Sequence, residues 1–166
     1  MANSRRCIVP EKERTLNFAT LRIDTMLFSR NQFTFAITWY IIIAMKTVLV
    51  VDDSRIMRNI VKNYFSELNI PCQYIEAVDG SEALDALMKH SINLVLLDWN
   101  MPKLSGIDFL KKVRAIDKYK NLPIIMVTSE AARYNVIEAL KLGATDYIIK
   151  PINGKLFKDK ISKAMI

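Results

Sequence analysis

From Met45 onward the sequence alternates, five times over, a short apolar run with a longer amphipathic stretch. Four of the five runs are apolar without interruption, and such a strand is stable only where both faces of a sheet are covered. Strands are expected at Val48–Val51, Gln73–Ala77, Leu94–Leu97, Ile124–Val127 and Tyr147–Ile149. Helices are expected at Ser54–Leu68, Ser81–His90, Gly106–Ile116, Arg133–Leu142 and Asn153–Ala164, with Asn153 an N-cap and Gly143 a C-terminal stop. Five βα units in a row imply an α/β fold, an open, doubly wound five-stranded parallel sheet with right-handed crossovers and five helices. The pattern ends with the fifth helix, so no effector domain is expected after it.

The first 44 residues do not join this pattern. Up to Gln32 they are mixed and polar, and Phe33–Met45 is then an apolar, β-rich run of 13 residues. A bilayer-spanning helix needs about 20. Three readings stand open: an upstream stretch outside the natural start, a membrane or export segment, and a structured extension. The first is adopted: residues 1–44 form a separate N-terminal extension, and residues 45–166 form the domain.

Several chemistries are excluded early. Four glycines, none clustered, cannot build a Walker loop or a dinucleotide fingerprint. A single histidine, His90, supplies no multi-histidine metal site, and Cys7 and Cys72 lie too far apart for a zinc motif. Free thiols fit a reducing compartment, the cytoplasm. The net charge of +7 divides into +3 over residues 1–44 and +4 over residues 45–166. The basic side chains are scattered through helical patterns rather than gathered with aromatics, so nucleic acid is not an expected partner.

The informative polar residues follow the strands. Asp52 and Asp53 come after the first, Asp98 after the third, Thr128 ends the fourth, and Lys150 follows the fifth. Taken singly, each has an ordinary explanation as a cap, a turn former or a surface charge. In a parallel sheet, however, these ends share one edge, where open α/β folds bind ligands. Two carboxylates about 4 Å apart repel by roughly 4 kcal/mol at an effective dielectric near 20. Three acids on one edge therefore call for a cation, and hard oxygen donors without His or Cys suit Mg²⁺. A carboxylate beside a metal and a lysine is placed to attack a phosphoryl group and become an acyl phosphate.

The segments VLVVDDSRIMRNIV, LVLLDWNMPKLSGIDFL, PIIMVTSE and GATDYIIKP resemble the receiver domains of two-component response regulators, and among these the single-domain chemotaxis regulators. The resemblance runs from Met45 to Ile166. It implies a flavodoxin-like strand order of 2-1-3-4-5 and a cis Lys150–Pro151 bond. It implies Asp98 as phosphoacceptor, with Thr128 and Lys150 on the phosphoryl oxygens. Asp52, Asp53, Asp98 and the Asn100 carbonyl would hold Mg²⁺, and Asn100 and Glu130 would tune dephosphorylation. Tyr147 would be a switch aromatic that turns inward when Thr128 moves, altering the face of the Arg133–Leu142 helix, the last strand and the Asn153–Ala164 helix, with Arg133 and Val136 exposed on it. The implied partners of this monomeric regulator, itself no enzyme, are a CheA-type histidine kinase, a flagellar motor switch component or other downstream protein, and a phosphatase.

Competing readings are weaker on the residues. A phosphohydrolase of the haloacid-dehalogenase type carries its second acid two residues after the nucleophile on the first strand, whereas here the remaining acid follows the third. A flavin carrier needs a Ser/Thr/Gly-rich first loop, and this one is doubly acidic. A non-phosphorylated adaptor would not need the complete acid, threonine and lysine set. A phosphorelay shuttle stays open within the same family.

Overall fold

The computed structural model describes residues 45–165; the expectations for residues 1–44 lie outside the described residues. The elements follow in strict alternation: β1 (Lys46–Val51), α1 (Arg55–Glu67), β2 (Cys72–Ala77), α2 (Gly80–Lys89), β3 (Leu94–Leu97), α3 (Gly106–Arg114), a 3-10 turn (Asp117–Tyr119), β4 (Ile124–Thr128), α4 (Arg133–Lys141), β5 (Asp146–Ile149) and α5 (Gly154–Ala164). All strand pairs are parallel, in the order β2-β1-β3-β4-β5. No expected boundary misses by more than two residues.

The pleat divides the core in two. Leu49, Val51, Val95, Leu97, Ile124 and Met126 face one side, under α2, α3 and α4. Val48, Val50, Leu94, Leu96, Ile125, Val127 and Ile148 face the other, where Val61 and Phe65 of α1 meet Phe157 and Ile161 of α5. Because both faces are covered, β3 and β4 are buried along their whole length. The uninterrupted apolar runs in the sequence have this cause.

Helix ends account for most of the boundary differences. Ser54 caps α1 and Asn153 caps α5 through side-chain oxygens. Helix α2 starts one residue before its expected Ser81, because Asp79 is its cap, accepting from the Ser81 and Glu82 N–H groups at 2.8 and 2.9 Å. Helix α3 stops two residues short of Ile116. The arginine that ends it, Arg114, turns back to donate to the carbonyls of Gly143, Tyr119 and Leu122 at 2.7–2.8 Å. Gly143 follows α4 at φ +95°, the left-handed stop its type favours. The Lys150–Pro151 peptide is cis.

Candidate functional site

The order β2-β1-β3 means that the chain leaves β1 toward one side and returns on the other, so a crevice opens at the carboxyl ends of β1 and β3. Asp52 and Asp53 stand at the first of these ends and Asp98 at the second. Carboxylate oxygens of all three lie within 4.8 Å of one another. Asp52 and Asp98 are buried and Asp53 is exposed, so one acid faces water while two are shielded.

The ammonium of Lys150, arriving from β5, donates to Asp52 Oδ2 at 2.7 Å and to Asp98 Oδ1 at 3.0 Å. The Ser54 N–H donates to the other oxygen of Asp52 at 2.9 Å. Burial pushes the Asp98 carboxyl above the ordinary range; the Lys150 bond and charge pull it partly back, and the Asp52 charge pushes it up again. Burial alone would depress Lys150, but its hydrogen bonds to Asp52 and Asp98 outweigh that and raise it. The phosphoacceptor candidate is thus a partly shielded carboxylate held by one shared ammonium.

Gly106 sets the back wall. A Cβ there would lie 1.9 Å from the backbone oxygen of Asp98, so α3 can start this close behind the acid only with glycine. The Gly106 N–H donates to the Trp99 carbonyl at 2.9 Å and closes the loop that carries Asn100.

On the far side of the crevice one carboxylate links three elements. Glu130 accepts from Asn100 Nδ2 through one oxygen and from Asn135 Nδ2 of α4 through the other, both at 2.8 Å. Its backbone carbonyl accepts the Tyr147 hydroxyl, and its N–H donates to Thr128 Oγ1 at 3.3 Å. Thr128 is fully enclosed, and its hydroxyl, accepting from its own loop, keeps its proton to donate.

The switch face departs from expectation at one residue, Val136. Tyr147 is 6% exposed and packed in the core, because β5 directs it under α4. Burial, then the nearby charges of Glu130 and Asp98, push its hydroxyl up to about 12. Val136 is not an exposed face residue but packs against the core; Arg133 is exposed, as expected. The apolar surface of α4 is instead made by Tyr134, Ile137 and Leu140, with Ile149 and Leu156 on β5 and α5.

The sequence reading also missed three residues around the crevice. Arg58 on α1 is 9% exposed and reaches back to the carbonyls of Asp52 and Asp53. Asp79 is wholly buried and pairs with Lys103 at 2.7 Å. Lys103 itself sits in the loop after Asp98 at φ +59°. The spacing of Asp79 before Gly80-Ser81-Glu82 is a capping signal that could have been read; Arg58 and Lys103 had none.

For a cation, the donor set is hard oxygen throughout, with no histidine or thiol, and Asp53 has an exposed carboxylate to offer. Such a set fits Mg²⁺. Among the described residues no helix is long and apolar enough to cross a membrane.

The family model described as response regulator receiver domain matches residues 48–162. A chemotaxis protein CheY homolog of Campylobacter jejuni is 44% identical over 119 residues, 71% of this chain and 91% of that protein. The high-resolution structure of the chemotaxis response regulator CheY4 of Vibrio cholerae superposes with a TM-score of 0.66 at 32% identity, covering 73% of this chain and 99% of that one. The Mn²⁺-bound form of response regulator Rcp1 superposes at 0.60 with 26% identity, covering 72% of this chain and 89% of that one. With its 2-1-3-4-5 sheet, its acidic crevice and these matches, the chain belongs to the response regulator receiver family, among relatives named for chemotaxis.

Proposed function

We propose that the chain is a phosphorylation-controlled signalling regulator in which Asp98 accepts a phosphoryl group. The observation that carries this is one ammonium, Lys150, bridging the buried carboxylates of Asp52 and Asp98 beside an exposed third acid. In the reaction, an Asp98 carboxylate oxygen forms the bond to phosphorus as the bond from phosphorus to the donor breaks. The donor atom, a histidine nitrogen of a kinase or the oxygen of a small acyl phosphate, leaves with the electron pair.

Asp52, Asp53 and Asp98, with the Asn100 carbonyl, would hold Mg²⁺, which when bound neutralises phosphoryl charge. The Mn²⁺ in the relative Rcp1 supports a divalent cation here. Lys150 is positioned to pair with a phosphoryl oxygen, and Thr128 to donate its free proton to another. Asn100 and Glu130, hydrogen-bonded to each other at the rim, would govern the approach of hydrolytic water.

The output follows from the Thr128–Glu130–Tyr147 chain of contacts. It ties the crevice to α4 and to the exposed apolar residues Tyr134, Ile137, Leu140, Ile149 and Leu156. That face would meet the downstream partner, a flagellar motor component on the likeness to chemotaxis proteins, with a CheA-type histidine kinase upstream, a phosphatase restoring the ground state, and all of it in the cytoplasm. Incubation with acetyl phosphate and Mg²⁺ should add one phosphoryl group that is stable to acid and labile to base. Retention of the label in Asp98→Asn, or undiminished labelling in EDTA, would overturn the reading.

A further inference from the structure

The loop that carries Asp52 and Asp53 is held from behind by a side chain outside the crevice. Arg58 lies on the first turn of α1, where its side chain is 90% removed from solvent. Its Nη1 donates to the Asp52 carbonyl at 2.7 Å and to the Asp53 carbonyl at 3.3 Å, so one nitrogen spans two consecutive peptide groups. Its Nε donates to Glu76 Oε2 of β2 at 2.7 Å, and Lys62 holds the other oxygen of Glu76 at 2.5 Å. The guanidinium is therefore anchored on the neighbouring strand while it holds the loop, a two-point grip that its planar fork allows and an ammonium does not. The carboxylates of the two residues whose carbonyls it holds are those that gather with Asp98.

We propose that Arg58 is a positioning residue for the divalent-cation site: it fixes the Asp52–Asp53 backbone so that both carboxylates reach the crevice. This rests on the reading of the acidic cluster as a cation site. Simple electrostatics predicts the opposite sign. A positive charge close behind a cation site opposes cation binding, so deleting it should tighten Mg²⁺; if Arg58 acts by geometry, deleting it should weaken Mg²⁺. Glu76 and Lys62 matter here because pairing with Glu76 offsets the arginine's charge while leaving its direction fixed.

The test is a Mg²⁺ titration of the full chain, followed by the fluorescence of Trp99, the half-buried neighbour of Asp98, in a Trp39→Phe background that leaves it the single tryptophan. Arg58→Met is expected to raise the Mg²⁺ Kd by about tenfold, the low end of what loss of a ligand-orienting partner costs. Arg58→Lys and Glu76→Gln should each raise it by about threefold, since each keeps half of the grip. At saturating Mg²⁺ the rate of labelling by acetyl phosphate should return to within about twofold of wild type, a split that general destabilisation does not produce. Thermal melts show which variants are folded, and if Arg58→Met is not, Arg58→Lys decides, since it keeps the charge and loses the fork. Folded variants that bind Mg²⁺ as tightly as wild type, or more tightly, overturn the role of Arg58. A wild-type chain that binds no Mg²⁺ overturns the cation site itself, a distinct outcome.

Discussion

At the scale of single residues, Asp98 trades stability for readiness. Its carboxyl titrates above the ordinary range because it is buried, so the folded chain holds that proton more tightly than the unfolded chain does. The stability linked to the protonated form is complete below the ordinary carboxylate value near 4 and is lost as pH rises through the folded value. Asp98→Asn removes this loss while Lys150 keeps Asp52 as a partner. In EDTA at pH 7 the variant should melt higher, by about 4 °C for each kcal/mol relieved, and the two proteins should converge below about pH 4. A variant that melts lower at pH 7 would show that the Lys150 bond outweighs burial. The residues of the crevice were legible in the sequence because a strand's carboxyl end is marked by where its apolar run stops. Arg58 was not legible. In sequence it is one more basic residue on an amphipathic helix, and only the return of residues 52–53 over the first turn of α1, with Glu76 from β2 alongside, gives it a task.

At the scale of elements, the approach of α3 to β3 decides where Asp98, the proposed phosphoacceptor, sits. Gly106→Ala would drive its methyl into the Asp98 carbonyl, and neither the buried strand nor the helix start has room to yield. The expected cost is about 2–3 kcal/mol of stability by urea denaturation. Labelling should slow by tenfold or more at saturating Mg²⁺, since a displacement on the order of 1 Å can cost roughly 100-fold. Labelling at the wild-type rate would mean that Asp98 has not moved. Element types and order were legible from periodicity alone, and the ends were blurred wherever a distant group decides them. Helix α3 stops where Arg114 turns to three carbonyls, and α2 starts where buried Asp79 can also reach Lys103. Such endings depend on contacts across the chain, which local pattern does not contain.

At the scale of the whole molecule, the described residues form a sheet with both faces covered, and Phe65 and Phe157 meet edge to face at 5.4 Å beneath one of them. A chain beginning at Met45 is therefore expected to unfold in one cooperative step and to be labelled at the rate of the full chain. Loss of labelling on truncation would give residues 1–44 a role in the domain. Strand order lay beyond periodicity, which does not say on which side of β1 a strand returns; it came from the resemblance. Stability is also uneven across this fold, and α4 marks the weak end. Its cap position is Ala132, which offers no side-chain hydrogen bond, and only Asn135 and Ala139 are buried along it. What holds its first turn is the Asn135 amide on Glu130, whose other oxygen already belongs to Asn100. Local opening should therefore begin there: in native-state hydrogen exchange the first-turn amides of α4 should exchange well before those of α2 or α3, and Glu130→Ala should speed them further while leaving β3 protected. A signal arriving at the crevice would then need to alter only the part of the molecule that opens most easily.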